Sequence, residues 1–210
     1  MYIPNLVSLL TRRKLLMSGL LMSIVQDPFN DDTNSGQTLI TKTNKDLYFY
    51  GALNDESCFR LQYTLEELIK LNKDKNKDIN LYLQTGGGSI LPTLPIVDLI
   101  KSSEVNINTY VKGYCASAGT LLSVSGNKRY MTNNSLILIH SLRQDRVGGT
   151  FNNIKDTYEN ADLIMSLIKE IYLENTEIGE DKLEYFLDHD LWLPASKCLE
   201  LKIVDEIVNN

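Results

Sequence analysis

From residue 47 onward the chain alternates short apolar runs with amphipathic stretches. Residues 47–50 (LYFY) form a β-type run that Gly51 stops. Residues 56–71 carry Phe59, Leu61, Leu65, Leu68 and Ile69 near helical spacing, which predicts a helix. A charged turn over residues 73–78 leads into a strand at 79–83, and Gly86, Gly87 and Gly88 break it. A helix is expected over 89–100, with Pro92 and Pro95 in its first turns. Strands are expected at 105–111 and 136–139, with a small buried helix at 117–125 between them. A long helix over 151–175 shows Ile154, Tyr158, Ala161, Leu167, Ile168 and Ile171. Shorter helices at 180–187 and 195–201 and a closing strand at 203–208 complete the pattern. Strands separated by helices imply βαβ units, and hence an α/β fold with a mainly parallel, buried sheet.

The first 38 residues differ. Residues 1–26 hold no Asp or Glu but do hold Arg12, Arg13 and Lys14, followed by a mostly apolar run over 15–25. That order suits a targeting segment, of secretory or organellar type, or an arm that packs on a partner subunit. Residues 27–38 (DPFNDDTNSGQT) read as a flexible loop. The expected division is therefore an N-terminal segment over 1–38 and one folded domain over 39–210. Composition narrows the function. The net charge of −6 argues against a nucleic-acid binder that works by neutralising phosphates. No run of 18 apolar residues predicts a membrane-spanning helix. The three cysteines, Cys58, Cys115 and Cys198, lack the spacing of a zinc or redox motif, and two histidines nearly exclude histidine-rich metal chemistry.

Three places could carry chemistry. Ser117, in Gly113-Tyr-Cys-Ala-Ser117-Ala-Gly119, falls at a strand-to-helix turn, where free helix N–H groups favour an oxyanion and small neighbours let a substrate approach. It also suits a plain helix N-cap. The glycines after the strand at 79–83 allow close backbone approach to a ligand, and an oxyanion hole is a better reading than a nucleotide loop, since no G-x-x-x-x-G-K or G-x-G-x-x-G is present. His140 ends the apolar strand 136–139, where sites of parallel sheets assemble, and a neutral imidazole there could take a serine proton. His189 sits among acids and reads as a surface residue. Asp145, Asp188 and Asp190 are all candidates to orient the base, and the local pattern does not separate Asp188 from Asp190.

Taken together, residues 39–208 resemble the ClpP family, the proteolytic subunits of ATP-dependent Clp proteases. The segment from Ile79 to Ser89 is similar to the family's I-N-S-P-G-G strand and loop. Gly113 to Gly119 is similar to G-x-A-A-S-M-G, and Asn134 to His140 to N-S-x-x-M-I-H. The stretch from Asp190 to Asp205 resembles D-R-x-x-x-A-x-E-A-x-x-x-G-L-V-D. The resemblance implies a ClpP/crotonase-like fold with a protruding handle helix over 151–175. It implies Ser117 as nucleophile, His140 as general base and Asp190, rather than Asp188, as the orienting carboxylate. It implies Gly88 and Ala118 as oxyanion-hole donors, and no metal or cofactor, with ATP used by a partner. It further implies a double heptameric ring of one or several chain types, an AAA+ Clp unfoldase as partner, unfolded proteins as substrates, and a cytoplasmic or organellar setting. The chain departs from the family pattern at Gly86, Ser141 to Arg143, Leu191 and Lys202. The competing expectations are a structural ring subunit, a crotonase-like acyl-CoA enzyme, and a membrane-associated signal-peptide peptidase of related fold.

Overall fold

The computed structural model describes residues 38–75, 77–144 and 147–209, together with the backbone of Ser23–Val25. The expected targeting segment otherwise lies outside the described residues. The sheet runs in the order β1 (Ser23–Val25), β2 (Leu39–Lys42), β3 (Asp46–Tyr50), β4 (Ile79–Thr85), β5 (Ile107–Ala116), β6 (Arg129–Thr132) and β9 (Glu206–Val208). From β3 to β9 all neighbours are parallel, while β1 and β2 add an antiparallel edge. Between the strands lie α1 (Asp55–Asn72), α2 (Leu94–Ser102), α3 (Ala118–Val124), α4 (Phe151–Asn175), α5 (Glu180–Leu187) and α6 (Ala195–Glu200).

The long strand β5 divides the sheet. Its first half pairs with β6 through Thr109, Tyr110 and Val111. Its second half leaves that partner and pairs with β7 (Leu136–Leu138) through Tyr114, Cys115 and Ala116. Ser135 accepts the Gly113 N–H at 2.8 Å where the partners change. An antiparallel strand, β8 (Trp192–Pro194), then pairs with β7, and Trp192 meets Tyr114 edge-on, with ring centroids 6.3 Å apart. This side sheet delivers the ends of β5 and β7, and the chain just before β8, to one neighbourhood.

One apolar core joins Leu47, Phe49, Leu81 and Leu83 of the sheet to Leu61, Leu65 and Leu68 of α1, to Ile96 and Ile100 of α2, and to Leu121 of α3. The sheet is not buried on both faces as expected. Burial alternates along β4, so Asn80, Tyr82 and Gln84 are half-exposed. Tyr48, Tyr82, Tyr110 and Tyr130 stack in register across that face, with centroids 4.5–4.7 Å apart.

Other differences have local causes. The helix expected from residue 89 begins only at Leu94, because Pro95 has no N–H for the Leu91 carbonyl and suits only the first turn, and the Thr93 N–H closes a turn on Ile90 instead. The closing strand shortens to Glu206–Val208, since Ile203 and Val204 are committed to the core. β2, β6 and β8 carry no expectation from the pattern, being three or four residues long. By contrast α4 and α5 have the expected bounds. Helix α4 starts at a capping box between Thr150 and Asn153 and spans about 37 Å. Only Ile168 and Tyr172 of it are buried, while Phe151, Ile154, Tyr158 and Leu163 face out, so its first half protrudes.

Candidate active site

Ser117 sits between the end of β5 and the start of α3 at φ 54°, ψ −132°. A β-carbon makes this conformation costly, by about 1–3 kcal/mol, so the surroundings must impose it. They do so through the main chain on both sides. Ser117 N–H donates to the Leu138 carbonyl at 3.0 Å. The Ser117 carbonyl accepts from Thr120 N–H at 2.9 Å and from the Thr120 hydroxyl at 2.6 Å. The Ser117 side chain does not cap α3, which removes the plain N-cap reading. Among the described residues its hydroxyl has no hydrogen-bond partner.

The glycine loop after β4 closes against this turn. A β-carbon on Gly87 would stand 2.6 Å from both the Ala116 oxygen and Ser117 Cβ, so only glycine lets the two loops touch. Gly88 is held at φ 148° by a bridge to Leu53. That bridge uses the Gly87 carbonyl and the Ser89 N–H, leaving the Gly88 N–H without a main-chain partner among the described residues. The Ala118 N–H is likewise unpaired, as expected in the first turn of a helix. Gly86, where the family has proline, faces open space, so the departure leaves no void.

Ser117, Ala118, Gly88 and His140 line one cleft of about 500 Å³, with Leu53, Leu121 and Ile168 as apolar wall. His140 follows β7, and its Nδ1 lies 2.6 Å from the Ser141 carbonyl oxygen. Ser117 and His140 share the cleft without a hydrogen bond between them. Asp190 stands just before β8 and is not among the residues lining the cleft; its carboxylate pairs with Arg143, which does line it, rather than with His140. Asp188 ends α5, and His189 stacks on Tyr185 at the surface. Asp145 lies outside the described residues.

Cys115, two residues before Ser117, is fully buried, and burial pushes its thiol well above the usual range. It therefore stays protonated and is no rival nucleophile. No group of three or more His, Cys, Asp or Glu side chains among the described residues is placed to hold a metal. Sequence reasoning missed Arg143 and the Thr120–Tyr172 contact beneath Ser117. A threonine and a tyrosine inside apolar helical runs were the available signal, since buried hydroxyls seek partners.

Residues 42–210 match the family model described as Clp protease. The chain belongs to the Clp protease family. It is similar to the protein named ATP-dependent Clp protease proteolytic subunit in Streptococcus pneumoniae strains Hungary19A-6, CGSP14 and TIGR4. In each case 33% of 141 residues are identical, covering 66% of this chain and 72% of the relative. This Clp-family chain is thus a proteolytic subunit, a hydrolase of the serine-peptidase type.

Proposed function

We propose that this Clp-family chain is a serine endopeptidase that cleaves unfolded polypeptides through an acyl-enzyme, with Ser117 as nucleophile. The observation that carries the reading is the cleft itself. It gathers a serine on a strained turn, whose hydroxyl has no partner among the described residues, with an imidazole and two N–H groups that have no main-chain partner among them. Ser117 Oγ attacks the substrate carbonyl while His140 takes its proton. The Gly88 and Ala118 N–H groups hold the oxyanion. His140 then returns the proton to the leaving amine, and water releases the acyl group by the same path. The steps need no metal or cofactor.

Asp190 orients the base in this reading. It exchanges Arg143 for the Nδ1–H of His140, which in turn leaves the Ser141 carbonyl. Both side chains of the Arg143–Asp190 pair are well exposed, 66% and 59%, so separating them costs little. The apolar, unsupported first half of α4 suits packing against a second ring in a double heptameric barrel. An AAA+ Clp unfoldase would feed chains into that barrel and would be the consumer of ATP.

The test is hydrolysis of a short fluorogenic peptide by the purified full chain without ATP, with assembly followed by sedimentation. Turnover by the assembled protein is expected. A well-formed ring with no turnover would overturn the reading in favour of a structural subunit. The oxyanion hole has its own test. Gly88→Ala places a β-carbon 2.0 Å from the Leu53 oxygen at a φ that favours glycine, so the bridge must open and carry the N–H away. Its kcat should fall by at least about 10²-fold, measured on the same peptide.

A further inference from the structure

Thr120 and Tyr172 form a buried polar contact that the steps above do not use. Thr120 is fully buried and Tyr172 is 2% exposed, and the two hydroxyls are hydrogen-bonded directly under the nucleophile. The direction of each bond follows from counting hydrogens. The Thr120 hydroxyl has one, and it lies 2.6 Å from the Ser117 carbonyl, which can only accept. Tyr172 must therefore donate to Thr120 Oγ1. Burial raises the Tyr172 pKa, so the phenol keeps its proton across the working range. The result is a directed chain from Tyr172 O–H to Thr120 O–H to the Ser117 carbonyl, each bond polarising the next.

That carbonyl belongs to the same planar peptide as the Ala118 N–H. In a trans peptide the two groups point in opposite directions, so fixing one fixes the other. The Thr120 N–H and hydroxyl both hold the oxygen. We propose that Thr120 and Tyr172 are positioning residues that aim the Ala118 N–H at the oxyanion, so that helix α4 reaches the reacting centre through a hydroxyl pair. This rests on the reading of Ser117 as nucleophile and Ala118 as oxyanion donor. Thr120 is sealed from the cleft, and Tyr172 lines it with a side chain only 2% exposed, its hydroxyl turned to Thr120 and not to the reacting atoms. Their effect falls on the transition state, where the oxyanion forms, and not on substrate binding.

The experiment measures kcat and KM for peptide cleavage, and the affinity of a peptide boronate whose adduct on serine is tetrahedral. The variants are Tyr172→Phe, Thr120→Val, Thr120→Ser and the double variant Thr120→Val with Tyr172→Phe, each as the assembled full chain. Tyr172→Phe should lose about tenfold in kcat and Thr120→Val about a hundredfold, with KM unchanged. Boronate affinity should fall in the same proportion, and Thr120→Ser should restore activity. The double variant should be no worse than Thr120→Val alone, because the phenol acts only through the threonine hydroxyl. Wild-type kcat in Tyr172→Phe and Thr120→Val, additive losses in the double variant, or a matching rise in KM would each overturn the proposal. If Tyr172→Phe does not assemble, the contrast between Thr120→Val and Thr120→Ser decides. Ser117→Ala separates the two claims. Turnover in that variant would sink the nucleophile reading itself, whereas a dead Ser117→Ala beside a fully active Tyr172→Phe would sink only the positioning role.

Discussion

Ser117→Ala is expected to abolish peptide cleavage while leaving folding and assembly intact. The expected loss is about 10⁶-fold in kcat, as for removal of a nucleophile from a triad whose members act as a unit. The structure explains why the fold should survive. The Ser117 hydroxyl holds nothing in place among the described residues, and the strained turn is fixed by main-chain bonds to Leu138 and Thr120 that alanine retains. Alanine meets the same penalty at φ 54° as serine does, so stability should change little. Peptide turnover and sedimentation on the same preparation check both halves. Residual activity near wild type in an assembled variant would mean that the acyl acceptor lies elsewhere.

The second large effect concerns Asp190. Asp190→Asn should lower kcat by about 10⁴-fold, because an amide cannot stabilise the imidazolium and favours the wrong tautomer of His140. Asp188→Asn should stay near wild type, since Asp188 serves the end of α5 through its main chain, its N–H donating to Glu184. The comparison has force because the Asp190 carboxylate is paired with Arg143, and the Ser141 carbonyl is what faces His140 Nδ1. If Asp190→Asn turns over normally, the carbonyl alone suffices to orient the base. If Asp188→Asn is the inactive variant, the register drawn from the family pattern is off by two.

The contrast between what could and could not be read from the chain follows the range of the forces. Helices α4 and α5 announce themselves because their apolar positions recur over two turns or more, and their bounds agree with the periodicity. The strand-to-helix turn at Ser117 is legible for the same reason: an apolar strand, small residues and an apolar helix meet there. Its positive φ is not legible, because it is imposed by Leu138 and by a threonine whose hydroxyl has two possible uses. β6 and β8 have too few residues to show a period and exist by pairing with strands already in place. The Thr120–Tyr172 and Arg143–Asp190 contacts join residues 52 and 47 positions apart, beyond any local pattern. The family resemblance also passes over them, since it rests on the triad and glycine-loop motifs.

The side sheet has an optical consequence. Trp192 is the single tryptophan of the chain, half-exposed on β8 and packed edge-on against Tyr114 of β5. It stands two residues from Asp190 and opposite Leu138, whose carbonyl holds the Ser117 turn. All indole emission from this protein therefore originates on β8, opposite the residue that holds the Ser117 turn. A shift of β8 relative to the serine turn would move the fluorophore against its tyrosine neighbour, so the molecule carries a single intrinsic reporter on the strand that follows Asp190.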